Sequence, residues 1–552
     1  MSSEPDTIRN VPEKKHCAIC HGSLRVRNTK SRTVKTLSGL VSVTNVTLTC
    51  PRHKREIYRP GNRLTPPGSS YGYDVLAEVG RLRYAEHKQI EEISQMLAEK
   101  GCKVPPRTVA HLCDRYLEHI TAVHLDSLPV LDTLVRQRGG YVLHIDGTGN
   151  KGRMVLLMKD AWIGIRLCAV SVQSEAADHV IPWLEYVKTH FGPPVAVVRD
   201  MSKGLKAAVS KVFPNTYVIV CHYHFLRDVG QRLFDGLYHG FRNRIDRRGV
   251  KKRLRAIRRI VRARKEPDED ASMALAVVER ILAYRRDAKG LAYPFSLPAV
   301  DFYRRCDQAG VNVRTAILDR AKKNLCSPML SHVEDALNLL KPPPAVIGRL
   351  QSDYEALVQR WQWFNRIRRV LRYRNGPIPL STRITLSERN LERGRKMLDW
   401  LIEKIRGLEN SGGYDHHART LRKILRGVAK LIEAHRESLF APNVTVTVNG
   451  VTKRMRVPRT NATVEGDYRL VRRHGRRIRG CGDVESQVQR EGAGMLLAEN
   501  LKNQTYVSTV YGSLHRIPNR FSTVSRDGLA LAKSHLWGSR GPTRGRNPRW
   551  LQ

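Results

Sequence analysis

The pattern of apolar and polar residues is clearest in the middle of the chain, where it predicts a sheet flanked by helices. An apolar run at 141–145 leads into Asp146, and a second run at 195–198 leads into Asp200. Strand-like stretches at 153–158 and 166–171 and a helical stretch at 179–191 lie between these runs. After Ser202, apolar residues at 205, 208, 209 and 212 repeat with the spacing of one helix face. The predicted order is therefore three strands, a helix and a fourth strand, and an acid follows the first and the fourth strand.

That order is the order of the ribonuclease H-like fold, in which the first and fourth strands are neighbours. Asp146 and Asp200 would then converge at one edge of the sheet, where open α/β sheets place ligands and catalytic groups. Paired carboxylates supply the oxygen ligands that Mg²⁺ prefers. A single Asp after a strand can equally cap a helix or form a surface turn, and this alternative remains open.

Helical periodicity predominates outside this sheet. Residues 73–124 and the long stretch from Ala271 to about Leu439 are predicted to be helical, and Asn449-Gly450 predicts a β-hairpin within 443–457. The stretch 241–265 contains thirteen Lys or Arg and a single acid, Asp246, with apolar residues at helical spacing. We therefore predict an amphipathic basic helix there, with Arg253 among its candidate DNA contacts.

The N-terminal segment carries a candidate metal site. Its pairs, Cys17-x-x-Cys20 and Cys50-x-x-His53, flank β-rich sequence and match a structural Zn²⁺ site of the Cys₃His type. His16 and His21 are competing ligands. Within the intervening β-rich stretch, Ser38-Gly39 and Thr44-Asn45 are candidate turns.

The helical segment that follows is typical of a helix-turn-helix. One predicted helix stops at Gly101 and another starts at Pro105-Pro106, which is the spacing of two helices joined by a tight turn. Its second helix would present side chains to the DNA major groove, namely Arg107, Thr108, His111 and Arg115. The alternative is a helical connector whose charges are only solvated.

Charge narrows the classes of partner. The 552 residues carry 97 Lys and Arg against 51 Asp and Glu, a formal net charge of +46, and the excess is spread along the chain. Such a field favours association with polyanions. No apolar run reaches the length of a membrane-spanning helix, and scattered cysteines fit a reducing compartment. We expect a cytoplasmic protein, nucleoid-associated if bacterial, without a membrane partner.

Residues 195–229 resemble Mutator-like transposases and their bacterial insertion-sequence relatives, within the Asp-Asp-Glu transposases. The matching features are Val-Arg-Asp200, Lys203-Gly204-Leu205, the Phe213-Pro214-Asn215 turn and Cys221-x-x-His224. Asp146 in Ile-Asp-Gly-Thr resembles the family's first acid, and Glu465 in Asn-Ala-Thr-Val-Glu-Gly resembles its third.

The resemblance implies catalytic and metal-binding roles for Asp146, Asp200 and Glu465, with Mg²⁺ or Mn²⁺ as the cofactor. Asp467, Asp483 and Glu485 are rivals for the third acid. Cys221 and His224 would support the active site. Lys203 is a further candidate DNA contact, and a file of arginines follows Glu465 at same-face spacing, comprising Arg469, Arg472, Arg473 and Arg476.

The implied function is transposition, with binding to terminal inverted repeats, metal-dependent strand cleavage and strand transfer. The partners would be double-stranded DNA, at element ends and target, and a second copy of the chain in a synaptic dimer or larger assembly. Two alternatives remain, a non-mobile nuclease or resolvase of the same fold and a transposase-derived DNA-binding regulator. Terminal inverted repeats and short direct duplications beside the gene would favour mobility.

The expected fold class is a multidomain α+β protein whose ribonuclease H-like core is interrupted by a large helical insertion. The expected segments are a zinc module at 1–65, a helix-turn-helix at 70–128, the first part of the core at 135–230, the helical insertion at 231–458, the last part of the core with Glu465 at 459–510, and a basic tail at 511–552.

Overall fold

The protein is a mixed α/β molecule of two compact units, described here from a computed structural model. The structure describes residues 6–60, 64–150, 153–287, 292–341, 348–373, 385–408 and 416–537. The first unit comprises the chain up to Val218 and again from Asn443 onward, and the second comprises Ile219–Pro442.

The strands and helices are numbered in chain order. The strands are β1 (Asp6–Asn10), β2 (Arg25–Thr36), β3 (Gly39–Thr49), β4 (Ile57–Tyr58), β5 (Val142–Asn150), β6 (Arg153–Asp160), β7 (Arg166–Val172), β8 (Ala196–Arg199), β9 (Tyr217–Val220), β10 (Val444–Val448) and β11 (Val451–Met455). The helices that precede β9 are α1 (Tyr73–Gly80), α2 (Ile90–Glu99), α3 (Pro106–Asp126), α4 (Leu128–Arg136), α5 (Ala177–Phe191) and α6 (Lys203–Val212).

The remaining helices continue the numbering. Those of the second unit are α7 (His222–Phe234), α8 (Leu237–Arg247), α9 (Val250–Arg262), α10 (Glu269–Leu282), α11 (Tyr284–Asp287), α12 (Pro298–Lys322), α13 (Pro328–Asn338), α14 (Arg349–Val370), α15 (Glu388–Gly407) and α16 (His416–Leu439). The first unit resumes with α17 (Ala462–Arg479), α18 (Val484–Glu491), α19 (Gly494–Ala498), α20 (Gln504–Val510), α21 (Ile517–Ser522) and α22 (Arg526–Trp537).

A small sheet is built around β3 in the N-terminal module. β3 pairs antiparallel with β2 and parallel with β1, so both of its edges are hydrogen-bonded. The predicted turn at Ser38-Gly39 joins β2 to β3. The predicted turn at Thr44-Asn45 is wrong, because pairing on both edges holds these residues extended within β3.

A five-stranded sheet forms the centre of the first unit, in the order β7-β6-β5-β8-β9. β5 pairs antiparallel with β6 and parallel with β8, and β6 pairs antiparallel with β7. All four residues of β8 are buried, as expected for a central parallel strand covered on both faces. The order of elements from β5 to β8 is the one that the apolar pattern predicts.

One apolar core runs through the first unit, from Tyr73 in α1, through the sheet, to Leu536 in α22. The α2–α3 pair predicted as a helix-turn-helix shares this core, and the side chains of α3 from Val109 to His124 are largely buried. The expected separate segment at 70–128 is therefore packed as part of the larger unit.

The expected basic tail at 511–552 is wrong over most of its length. Residues 517–522 and 526–537 form α21 and α22, and Phe521 and Leu536 are buried in the core of the first unit. Polar residues surround these few apolar positions, which hides the buried face from the sequence pattern. Residues 538–552 lie outside the described part of the chain.

The second unit opens with Ile219 and Val220, the last two residues of β9, and its other named elements within the described residues are helices. The unit starts at Ile219, earlier than the expected start at 231. It ends at Pro442, earlier than the expected end at 458, because the β10–β11 hairpin belongs to the first unit. That hairpin turns at Asn449-Gly450, as predicted, with both residues at positive φ. The predicted single basic helix at 241–265 is instead two helices, α8 and α9, separated at Gly249, whose φ is 71°.

Every helix in the described ranges is too short or too polar to cross a bilayer.

Gly204 marks a close approach within the first unit. A Cβ at this position would lie 1.7 Å from the backbone carbonyl oxygen of Glu175, which cannot move as a side chain can. We expect Gly204→Ala to destabilise the protein by about 1–3 kcal/mol or more, as overpacking does. Urea unfolding followed by circular dichroism would measure the change.

The matched control is Gly427→Ala, because Gly427 lies in α16 with nothing within 4 Å of the added carbon. That change should stabilise its helix by about 0.5–1 kcal/mol. Equal midpoints for the two variants would contradict the packing of Glu175 against α6.

Candidate active site and metal-binding cluster

Neighbouring parallel strands bring Asp146 and Asp200 to the same edge of the central sheet. β5 and β8 pair in register from Val142–Ala196 to His144–Val198. Asp146 and Asp200 each follow the last of these pairs by two residues, and adjacent strands are about 4.8 Å apart. The two acids predicted to converge therefore lie at the same level of neighbouring strands. Asp200 follows the end of β8, as predicted, but β5 continues through Asp146 to Asn150, because its pairing with β6 extends that far.

Asp146 is 2% exposed, whereas Asp200 lies at the half-buried turn that leads into α6. One Asp200 carboxylate oxygen accepts a hydrogen bond from the backbone N–H of Ser202 at 2.8 Å. Ser202, in turn, is the N-cap of α6. One oxygen of Asp200 thus has the role of a turn residue, which was the alternative prediction. The same hydrogen bond fixes the direction of the carboxylate.

Glu465 joins Asp146 from a segment far away in the sequence. It lies in the first turn of α17, and one of its carboxylate oxygens is within 4.8 Å of one from Asp146. That separation suits two carboxylates that share a cation. Among the described acids of this region, these two belong to one potential metal-binding group.

Hydrogen bonds hold the start of α17 on the strand that carries Asp146. The Asn461 side-chain amide donates to the carbonyl oxygen of Ile145 at 2.9 Å. The Tyr468 hydroxyl lies 2.8 Å from the carbonyl oxygen of Asp146 and 3.0 Å from that of Val155. Burial, reinforced by the nearby carboxylates, raises the pKa of Tyr468 well above its ordinary value, so the hydroxyl remains a donor at neutral pH.

The rival acids have other partners. Asp467, 2% exposed, forms ion pairs with Lys159 at 2.7 Å and with Arg166, which attach α17 to β6 and β7. Asp483 caps α18 by accepting from the backbone N–H of Ser486 at 3.0 Å. Glu485 accepts from the Gln489 side chain at 2.8 Å. Of the four candidates, Glu465 is the one that meets Asp146.

Glu175 is an acid near this site that the sequence pattern does not reveal. Its side-chain oxygen would be 2.9 Å from a Cβ placed on Gly147, the residue after Asp146. Its backbone also packs against Gly204 in the first turn of α6. The contact depends on two glycines in separate elements, so no local spacing could have indicated it.

The arginine file predicted after Glu465 lies along α17. Arg469, Arg473 and Arg476 are exposed, while Arg472 is half-buried and donates to the Thr148 hydroxyl at 3.3 Å. Lys203 is exposed at the start of α6, the helix that follows Asp200. Cationic side chains of both helices are thus available to an anion beside the acids.

The four predicted ligands of the N-terminal module come together. Cys20 Sγ lies 3.5 Å from Cys50 Sγ, and His53 Nδ1 lies 3.7 Å from both Cys17 Sγ and Cys50 Sγ. Each offers a ligand atom within 4.8 Å of the others, and neither His16 nor His21 belongs to this group. The cluster could bind a metal ion such as zinc.

Hydrogen bonding favours the metal-binding thiolate forms of Cys17 and Cys50. A backbone hydrogen bond from Gly22 is outweighed at Cys20, whose pKa is raised instead by burial and by the neighbouring Cys50 and Cys17. The backbone hydrogen bond from Cys20 lowers the pKa of the Cys17 thiol to about 6, although burial opposes the shift. A backbone hydrogen bond from His53 likewise lowers the pKa of Cys50. The Cys17 side chain raises the pKa of His53. Such a thiolate and imidazolium pairing is the arrangement that a cation would replace.

The other predicted site residues are placed as follows. On α3, Arg107 and His111 are exposed and Thr108 is half-buried, while Arg115 donates to the carbonyl oxygen of Pro67 at 2.5 Å. Cys221 and His224 are buried at the start of α7 in the second unit, where Arg253 is exposed on α9. Roles in DNA binding or active-site support remain predictions for all of these residues.

The sequence was compared with protein-family models and with curated proteins. No protein-family model matches the chain, and no curated protein matches it significantly.

Proposed function

We propose that this protein is a DNA transposase of the Asp-Asp-Glu type, which cleaves DNA strands at element ends and joins them to a target. The observation that carries the proposal is the approach of Glu465 to Asp146 within 4.8 Å. The two acids are not close because they are near in sequence, since the whole second unit lies between them along the chain. Asp200 on the adjoining strand supplies the third carboxylate.

The sheet order supports a ribonuclease H-like core for this activity. Three antiparallel strands are followed by a helix and then by β8, which returns beside β5. In such a topology the first and fourth strands supply one carboxylate each, and a later helix supplies the third. Asp146, Asp200 and Glu465 occupy these three positions.

The donor set fits hard divalent cations. Asp146 and Glu465 present carboxylate oxygens to one potential metal-binding group, and Asp200 would add a third carboxylate, which suits Mg²⁺ or Mn²⁺. These carboxylates would hold a pair of such ions, which would supply an activated water and charge stabilisation for the leaving oxygen of a phosphodiester. The chain itself orients the acids, since Ser202 directs Asp200 and Tyr468 fixes the backbone that carries Asp146.

The cationic side chains on the helix that carries Glu465 support DNA as the substrate. Arg469, Arg473 and Arg476 are exposed on the helix whose first turn contains Glu465. One arginine side chain can donate two parallel hydrogen bonds to the oxygens of a phosphate. The reaction is phosphodiester hydrolysis that frees a 3′-hydroxyl, followed by attack of that hydroxyl on target DNA. Water and the target phosphodiester are the reactants, so neither a covalent protein intermediate nor ATP is required.

The test of the chemistry is Asp146→Asn. The variant keeps the shape of the side chain but loses an anionic ligand, so cleavage of DNA carrying the sequences that flank the gene should fall at least about 100-fold, beyond the loss typical of groups that only orient a ligand. Binding of the same DNA should persist, because phosphate contacts come from other residues. Gel assays of nicking and mobility shift measure the two properties.

The matched control is Asp483→Asn, the same substitution at a rival acid. Asn caps helices as well as Asp, so α18, the DNA binding and the cleavage should all be preserved. Retained cleavage in Asp146→Asn, or equal loss in both variants, would contradict the assignment. A wild-type protein that binds but never cleaves, even with Mn²⁺, would favour the DNA-binding regulator.

We further propose that Cys17, Cys20, Cys50 and His53 hold one structural Zn²⁺ ion. The protein purified from zinc-containing medium should carry it, and Cys50→Ser should lose it, together with protection of the N-terminal module from proteolysis. Elemental analysis by mass spectrometry measures the metal. Cys326→Ser is the control, because Cys326 is exposed and outside the cluster. Full zinc content in Cys50→Ser would contradict the site.

A further inference from the structure

Helix α9 in the second unit has two faces of opposite character. Its apolar face is buried in the helical core, and consists of Val250, Leu254, Ile257 and Val261. At about 100° per residue, the opposite face presents basic side chains around two alanines. This basic face lines a shallow depression of about 760 Å³, and comprises Lys252, Arg255, Ala256, Arg258, Arg259, Arg262 and Ala263.

Several cations elsewhere in the second unit form ion pairs with carboxylates, whereas those at the centre of this face do not. The paired examples on α12 are Arg304 with Asp301 at 2.7 Å, Arg314 with Glu334 at 3.1 Å, and Lys322 with Asp319 at 3.3 Å. Arg262, at the end of the basic face, pairs with Glu279. Within the described ranges, no carboxylate forms an ion pair with Lys252, Arg255 or Arg259.

This arrangement does not favour the stability of the isolated helix. Arg255 and Arg259 are four residues apart, and Lys252 precedes Arg255 by three, so like charges are neighbours on one face. Repulsion of this kind is relieved when a polyanion occupies the surface. The basic face therefore has the character of a binding surface.

The geometry selects among polyanions. A membrane-surface helix exposes a broad apolar face to the lipid, but the apolar face of α9 is buried and Ile260 is its exposed large apolar side chain. From Lys252 to Arg262 the helix rises about 15 Å, which is the length of about four base pairs along the axis of B-DNA. The alanines between the cations leave room for a phosphate to approach the helix.

We propose that the basic face of α9 binds the phosphate backbone of double-stranded DNA without reading its sequence. The choice of DNA as the polyanion rests on the proposed function, but the surface is distinct from the acidic site and from the predicted α3 contacts. Lys252, Arg255 and Arg259 supply the contacts. Arg253 is exposed but is turned about 100° from Lys252, so its contribution is smaller.

The test compares two triple variants of the full chain that remove the same charge. One replaces the centre of the basic face, with Lys252→Gln, Arg255→Gln and Arg259→Gln. The control replaces three paired cations of α12, with Arg304→Gln, Arg314→Gln and Lys322→Gln. Fluorescence anisotropy with a random-sequence DNA duplex, over a range of NaCl concentrations, gives the salt dependence of each affinity.

The basic-face variant should weaken DNA binding and reduce the slope of log affinity against log salt by about 2.7, from about 0.9 for each lost phosphate contact. The control should change the slope by less than about 0.9, the value for one phosphate contact. Thermal unfolding should show the basic-face variant no less stable than wild type, since like-charge repulsion is removed. The single variant Arg255→Gln, expected to lose about 0.9 in slope, applies if the triple variant does not fold.

Equal slopes for the two triple variants would overturn the proposal, because net charge alone would then explain binding. A basic-face variant that loses binding to anionic phosphatidylserine vesicles but keeps its DNA affinity would also overturn it, in favour of a lipid surface. Asp146→Asn separates this test from the catalytic one. It should abolish cleavage and leave the salt slope unchanged, so either proposal can fail without the other.

Discussion

The attachment of α17 to the strand β5 is the constraint on which the candidate active site depends. Glu465 reaches Asp146 because Asn461 and Tyr468 hydrogen-bond to backbone carbonyls of β5. Two residues after Glu465, Asp467 is buried between Lys159 and Arg166. Removing one partner of such a buried ion pair costs about 3–5 kcal/mol, because a charge is left uncompensated. The helix that carries the third acid is thus fixed at its base by groups that take no part in the chemistry.

The same helix connects the acids to the cationic character of the chain. Its exposed arginines begin four residues after Glu465, and its far end is held by the N-terminal helices. There Arg477 pairs with Glu92 of α2 at 2.5 Å. The buried His474 meets Glu491 of α18 at 3.1 Å. Burial opposes ionisation of Glu491, yet His474 and Arg83 lower its pKa to about 2. Buried charges of the first unit such as Asp467 and Glu491 form ion pairs, whereas Lys252, Arg255 and Arg259 on the basic face of α9 form none with carboxylates of the described residues.

Sequence reasoning succeeded where the signal was local and failed where partners are distant. The apolar runs before Asp146 and Asp200 predicted two strands, although β5 continues past Asp146 to Asn150, and Asn449-Gly450 predicted a hairpin turn, because each depends on a few consecutive residues. Glu465 was indicated by family resemblance, since nothing near it in the sequence points to Asp146. Tyr468, Glu175 and the Asp467 ion pairs could not be predicted, because their partners lie in other elements. The turn at Thr44-Asn45 and the tail at 511–537 were wrong, since strand pairing and core packing overrode local polarity.

Iron-directed oxidative cleavage of the protein tests the shared metal site most directly. Fe²⁺ occupies oxygen-ligand sites for Mg²⁺, and with ascorbate and peroxide it cuts the backbone beside its ligands. We predict cuts near residues 146, 200 and 465 in the same molecule, all suppressed by added Mg²⁺ and absent from Asp146→Asn. Cleavage near one of these acids alone, or a pattern insensitive to Mg²⁺, would contradict a metal centre shared by the three carboxylates.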